Sequence, residues 1–401
     1  MDGETPSADQ NVPRDDKQPR VSSALCEYEC NAKIPLVSMD RVLPDDLLEQ
    51  ILACLPSADL VRAGAVCTWW RGIITSGSFR KILLPGVSQR PWFVLDRLLG
   101  QRPCAYDPVY NVWYKLELPR FNLSSTSIAT FASSSGLIPV FGTGNDGSPR
   151  LYVCNPLTRR WREIARPPSS VKYVHRTTLA ISVSRTTPSY RVSLVTTNYP
   201  PGVPFGREVS VHVYDSETRM WATRTTEVLR GWTSNSESAI CAGVLYFLIY
   251  SSVSPENSCG LVMYDLSGRC SDGLLASFVP FPCPLACQFL MNMKERVVLV
   301  GGLWNDEQAS MKGIGIWVLS GGEWQEIARL PHDLFLGFPV SGHGLKSWGV
   351  NDLIYIINRP GSDMVIFDMS QKQWGSRNRP AEVPSRLSAG FCYEPRFEIV
   401  P

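Results

Sequence analysis

The sequence has four histidines in 401 residues, a formal charge of only +2, no run of like charge and no long apolar stretch. Each shortage excludes something. His175, His212, His332 and His343 sit in dissimilar contexts, so an imidazole-based metal or hydrolytic centre is not expected. The motifs Gly-x-Ser-x-Gly and His-Glu-x-x-His and a phosphate loop are all missing, and no cofactor or metal is expected. With 39 Lys and Arg against 37 Asp and Glu, no basic stripe could track a phosphate backbone, and no nucleic acid partner is expected. The apolar run 239–250 falls short of the roughly 18 to 20 residues a helix needs to cross a bilayer. It reads as a strand hairpin, and no membrane span is expected. The twelve cysteines follow no framework of spacings. Residues such as Cys54, Cys67, Cys154 and Cys241 lie in apolar stretches and read as reduced, buried thiols. Cys26 with Cys30 and Cys283 with Cys287 are spaced four apart, but no second matched pair completes a zinc site. Residues 1–37 are polar, mixed in charge and dotted with Pro, without a basic and then apolar leader. A disordered tail and a nuclear or cytoplasmic protein are expected.

What is present falls into two periods. Residues 38–84 follow helical spacing and residues 85–401 follow strand spacing. In the first segment Pro44 suits a helix start, with Asp45, Asp46 and Glu49 facing the positive end of the helix dipole. Leu47, Leu48, Ile51, Leu52 and Leu55 form a broad apolar stripe, and Pro56 ends the helix. Ser57 or Asp59 can cap a second helix with Leu60, Val61 and Val66, and a third begins near Thr68 with Trp69, Trp70, Ile73 and Ile74. So short a segment cannot hide this many large apolar side chains by itself, which implies a partner surface.

The residues Leu43-Pro44-Asp45-Asp46-Leu47-Leu48-Glu49-Gln50-Ile51-Leu52-Ala53-Cys54-Leu55-Pro56, then Asp59-Leu60, then Val66-Cys67-Thr68-Trp69-Trp70-Arg71, closely resemble the F-box. The resemblance implies a three-helix module that docks on a Skp-type adaptor and, through it, on cullin and RING subunits. It implies adaptor-binding roles for Leu43, Pro44, Leu47, Leu48, Ile51, Leu52, Leu55, Pro56, Leu60, Val66, Cys67 and Trp70.

Beyond residue 100 one unit recurs: a strand ending in an apolar or aromatic residue, then Asp or Asn, then Trp six positions on. The copies are Asp107 with Trp113, Asn155 with Trp161, Asp215 with Trp221, Asp265 without a Trp, Trp317-Val318 with Trp324, and Asp368 with Trp374. Their spacing of about fifty residues is that of a propeller blade, and six copies predict six blades. Strands such as 209–214 alternate with period two. The Asp or Asn side chain can accept from the backbone two residues on and fix a tight hairpin. In the fifth copy Gly321-Gly322 can supply the turn by backbone freedom. The Trp is expected to fill the wedge between neighbouring sheets. Second hairpins at 240–247, 293–298 and 349–355 bring each blade to four strands. Closure is expected to join 92–95 to either 391–393 or 397–399.

This region resembles the kelch-like propellers of plant F-box/kelch-repeat proteins, in phrases such as Cys154-Asn155-Pro156-Leu157-Thr158 and 313–319. Of the Gly-Gly pairs usual in kelch blades, only Gly301-Gly302 fits well. The fold class is therefore α+β and multidomain: a small N-terminal helical module followed by an all-β six-bladed propeller.

Antiparallel strand order sends the second-to-third and fourth-to-first loops to one rim. The long loops 198–207, 251–260, 303–312 and 331–346 all belong there, with Tyr199, Phe205, Trp304, Phe335 and Phe338 as candidate contacts to a protein substrate. The resemblance implies a non-catalytic substrate-recognition subunit of an SCF-type ubiquitin ligase. Two other readings stay open: a scaffold or cofactor whose partner is not degraded, and an enzyme of the galactose-oxidase kind.

Overall fold

A computed structural model of the chain describes residues 43–401 apart from 83–90, 98–102, 117, 119–120, 125–129, 169–170, 172–176, 185–186, 188, 204–205, 252–258, 269–272, 306–309, 337–343, 359–362, 380–386 and 398. The expected tail at 1–37 and the Cys26/Cys30 pair lie outside the described residues.

Four helices open the chain: α1 (Asp45–Ala53), α2 (Ser57–Val66), α3 (Thr68–Thr75) and α4 (Gly77–Ile82). The fourth was not anticipated. It starts where the Ser76 hydroxyl accepts from the Phe79 backbone N–H, and the Ser78 hydroxyl, donating to Glu49, ties it to α1. Pro56, not Ser57 or Asp59, holds the N-cap position of α2. The Pro56 carbonyl receives the Asp59 and Leu60 amides. At α3 the Cys67 thiol accepts from the Trp70 N–H at 3.4 Å, a weak sulfur version of an N-cap. Leu48, Leu52, Leu60, Ala63, Ile73, Ile74 and Phe79 form the core of this module, joined by Phe397 from the far end of the chain.

The remaining chain forms six four-stranded antiparallel sheets. Blades 1 to 5 occupy 130–163, 177–230, 232–280, 285–329 and 345–378. In each the first strand lies innermost, and the inner strands contact one another in a ring. The sixth blade closes the ring: its inner strand is Leu387–Tyr393, and its other three are Trp92–Arg97, Cys104–Asp107 and Val112–Lys115. Trp92, Phe93 and Val94 pair with Tyr393, Cys392 and Phe391, so the first of the two closure registers is the one formed. The run 239–250 is a strand hairpin across Ala242 and Gly243, both at positive φ of 48° and 81°, as its two-residue turn demands.

The repeated Asp or Asn sits at the third-to-fourth hairpin of its blade. Asp107 accepts from the Val109 amide at 2.9 Å, Asn155 from Leu157 at 3.1 Å, Asp215 from Glu217 at 2.9 Å, Asp265 from Ser267 at 2.8 Å and Asp368 from Ser370 at 2.8 Å. The fifth copy is offset from the sequence reading. Ser320 and Glu323 close its turn and Leu319 faces Trp324, so Ser320, not Val318, holds the Asp position. Gly321 and Gly322 turn the chain at φ of 62° and 86°. Each Trp packs on its own hairpin, Trp113 on Tyr106 at 5.2 Å, Trp221 on Tyr214 at 5.5 Å and Trp374 on Phe367 at 4.6 Å, and joins a core shared with the neighbouring blade, as expected of a wedge residue. Only Trp113 of these outer-strand residues is buried, and Trp161 is half exposed, because the outer strand of a blade has a sheet neighbour on one side only. No Trp follows Asp265 because the fourth strand of that blade is the two-residue stub Val279–Pro280, reached through a 3-10 turn at Leu274–Ser277.

Candidate functional site

The helical module rests on the face where the short hairpins emerge. Ala58 is buried with Trp92, Tyr114 and Leu116 of the closing blade, the Tyr110 hydroxyl donates to Asp59 at 3.2 Å, and the Arg62 guanidinium lies 5.7 Å above the Tyr114 ring. Beside it the C-terminal segment is clamped to blade 1: the Asn155 amide donates to the carbonyls of Arg396 at 2.6 Å and Ile399 at 2.8 Å, and Tyr393 donates to Asn155 at 3.0 Å. That clamp delivers Phe397 into the helical core. Trp92 also donates its indole N–H to the buried Asp107 at 3.1 Å, locking the turn on which Tyr110 rides.

The predicted adaptor residues divide by burial. Leu47 (44% exposed), Ile51 (52%), Val66 (65%) and Leu43 (40%) face outward, whereas Leu48, Leu52 and Leu60 are at most 2% exposed. The last three are core residues of the module and offer no surface to a partner. Leu55, Cys67 and Trp70 are partly buried; Pro44 and Pro56 are exposed. Leu47 and Ile51 are one turn apart on the same face of α1. Leu43 and Pro44 border a cleft shared with Cys67, Thr68 and Trp69, which places the start of α1 beside the α2–α3 junction that carries Val66. An outward apolar ridge therefore runs along one side of the module.

The opposite face of the propeller carries the second-to-third and fourth-to-first connections. Tyr199 there is 54% exposed and its ring is covered by the Arg207 guanidinium at 3.9 Å, a cation–π stack that holds both side chains in place. Trp304 is partly buried where a bulge interrupts its strand. Phe335, in helix α5 (His332–Leu336), packs against the core shared by blades 4 and 5, so it covers its own blades rather than presenting a free ring. Phe205 and Phe338 lie outside the described residues. The reading of the sequence missed exposed Tyr250 and Leu336 on this side; Tyr250 sits in a strand and Leu336 in a short helix, and neither stands out from its neighbours.

Cys154, Cys241 and His212 behave as structure. Burial pushes Cys154 and Cys241 up to about 12, far from the reactive thiolate range, although Cys54 is exposed rather than buried. Burial also holds His212 down at about 4, between the Thr196 and Thr223 hydroxyls. Among the described residues no group of three metal-ligating side chains converges, and no helix is long and apolar enough to cross a membrane.

Two family descriptions match this chain: "F-box-like" over residues 41–84 and "F-box protein At3g26010-like, beta-propeller" over residues 116–386. The chain is 41% identical to the F-box/kelch-repeat protein At3g61590 of Arabidopsis thaliana, over 96% of each chain. From the same organism, F-box only protein 6 is 26% identical over 82% of this chain and 68% of its own, and SKP1-interacting partner 15 is 24% identical over 90% and 98%.

Proposed function

Because the chain belongs to the F-box/kelch-repeat family, an F-box followed by a β-propeller, we propose that it is the substrate-recognition subunit of an SCF-type cullin–RING ubiquitin ligase. The outward ridge of Leu43, Leu47, Ile51 and Val66 docks on the Skp-type adaptor, and the long-loop rim takes a protein substrate. A relative of this chain is named for its interaction with SKP1, which supports the adaptor assignment.

The observation that carries the proposal is the placement of the F-box on the short-hairpin face, fixed by Ala58, Asp59, Arg62 and Phe397. Both the apolar ridge and the long-loop rim are then left open at once. The subunit does no covalent chemistry in this role. It raises the effective concentration of a substrate lysine near the ubiquitin-charged conjugating enzyme, and a brace between the two modules keeps that distance fixed.

The test is co-purification of the full chain with a Skp-type adaptor. Charged replacements in the ridge, Leu47→Asp and Ile51→Asp, should abolish the complex, because each buries a carboxylate in an apolar contact. Leu48 and Leu52 cannot serve for this purpose, since changing them would unfold the module. Retention of the adaptor by the double variant refutes the docking surface. A captured partner whose half-life does not change when the ridge is disabled refutes the degradative role while leaving the docking intact.

A further inference from the structure

The six inner strands enclose a central cavity of about 420 Å³ with a predominantly polar lining. One of those strands is irregular in a telling way. In Trp232–Cys241, Ser234 pairs with Ile249 but Ser238 pairs with Phe247, so four residues on the inner strand span two on its partner. A bulge of this kind re-aims side chains and is over-represented at functional sites. Here it carries Glu237, which lines the cavity and accepts from the Leu290 backbone N–H of blade 4.

Lys346 of blade 5 also lines the cavity, its ammonium 5.6 Å from the centre of the Phe289 ring of blade 4. Glu237 and Lys346 thus flank the same inner strand from either side, with an aromatic face between them. A carboxyl and an ammonium on the wall of one cavity can each meet a complementary charge placed in it.

We propose that the central cavity is a binding site for a small zwitterion of α-amino-acid type, with its ammonium on Glu237 and its carboxylate on Lys346. Phe289, on the wall between them, borders the apolar part of the ligand. The volume is at the small end of the range for ligand pockets, about 300 to 1,000 Å³, which suits a ligand of that size. The site is separate from the adaptor ridge and stands whether or not the ligase reading does.

The ionic state of the site gives it a signature. Burial raises the Glu237 carboxyl to about 7, opposed by the Lys346 ammonium and the Leu290 N–H; the other charged groups on the cavity wall are Lys294, Glu295 and Glu394. Binding an ammonium requires the ionised form, so affinity should rise roughly tenfold from about pH 6 to about pH 8 and binding below neutrality should release a proton.

The test is calorimetric titration of the full chain with the free proteinogenic amino acids, each up to about 10 mM, alongside n-butylamine and butyrate as single-charge probes. At least one amino acid should bind, with the stated pH dependence, while both single-charge probes bind at least about tenfold more weakly. Glu237→Gln and Lys346→Met should each lower the affinity at least about tenfold, with thermal unfolding of the unliganded variants confirming that they fold. Absence of binding by every amino acid overturns the proposal. So does binding that survives both substitutions, or a variant-independent pH profile.

Discussion

Replacing Phe397 by Ala should loosen the F-box while leaving the propeller closed. The ring is 7% exposed and packs in the core formed by Leu48, Leu52, Leu60, Ala63, Ile73, Ile74 and Phe79. Truncating a buried Phe costs about 3 to 5 kcal/mol, through lost transfer energy and the cavity left behind. A single core this small supplies about 3 to 5 kcal/mol in total, so the loss is comparable to the whole local stability of the helices. The propeller should keep its own stability, because the strand that closes it, Leu387–Tyr393, ends before Phe397 and is held by its register with Trp92–Arg97. Hydrogen exchange followed by peptide mapping separates the two regions. Amides of α1 to α3 should exchange at least about a hundredfold faster, by the conversion of roughly 3 kcal/mol into an opening constant, and those of blades 2 to 4 should not change. Phe397→Leu, which keeps most of the volume, should recover the larger part of the protection. Unchanged exchange in α1 to α3 would refute the idea that the C-terminal segment is part of the F-box core.

Two further outcomes test local arguments. Lys372, in the turn after Asp368, has φ of +53°, a left-handed conformation that costs a non-Gly residue about 1 kcal/mol or more; Lys372→Gly should therefore stabilise the protein by up to about 1 kcal/mol in thermal unfolding, and a lower melting temperature would show that the side chain contributes more than the strain. Glu237 has a folded value near 7 against 4.5 for the free group, so its contribution favours folding most below the lower value and is lost as pH rises through the higher one. Between about pH 5 and about pH 8 the native chain should lose no more than about 3 kcal/mol on this account, less with solvent in the cavity, and Glu237→Gln should flatten that part of the stability profile; an unaltered profile would show that the carboxyl is well solvated.

The blade repeat was legible because each copy must make the same tight turn. An Asp or Asn that caps its own hairpin, at Asp107, Asn155, Asp215, Asp265 and Asp368, cannot be varied without losing an acceptor. Where backbone freedom replaces the acceptor, at Gly321-Gly322, register became ambiguous and the sequence placed the fifth unit two residues early. The F-box helix was legible for the same reason, but its two faces were not. Leu47 and Ile51 lie next to Leu48 and Leu52 in one continuous apolar stripe, and which half turns inward depends on α3 and on Phe397, more than three hundred residues away in sequence. Glu237 escaped notice because a charged residue amid Ser234, Ser236 and Ser238 reads as a loop until the ring of inner strands gives it an inside to face.

The late arrival of residues 387–397 bears on how the protein is made. Synthesis delivers the F-box helices before Phe397, yet their hydrophobic centre lacks that ring until more than three hundred further residues are made, and the propeller stays an open crescent over the same interval. A product interrupted upstream of this stretch would carry an adaptor-docking segment without its internal support and a sheet with an unpaired edge. Damaged messages would thus tend to give chains that chaperones and proteases can recognise, in place of half-working receptors that occupy the adaptor.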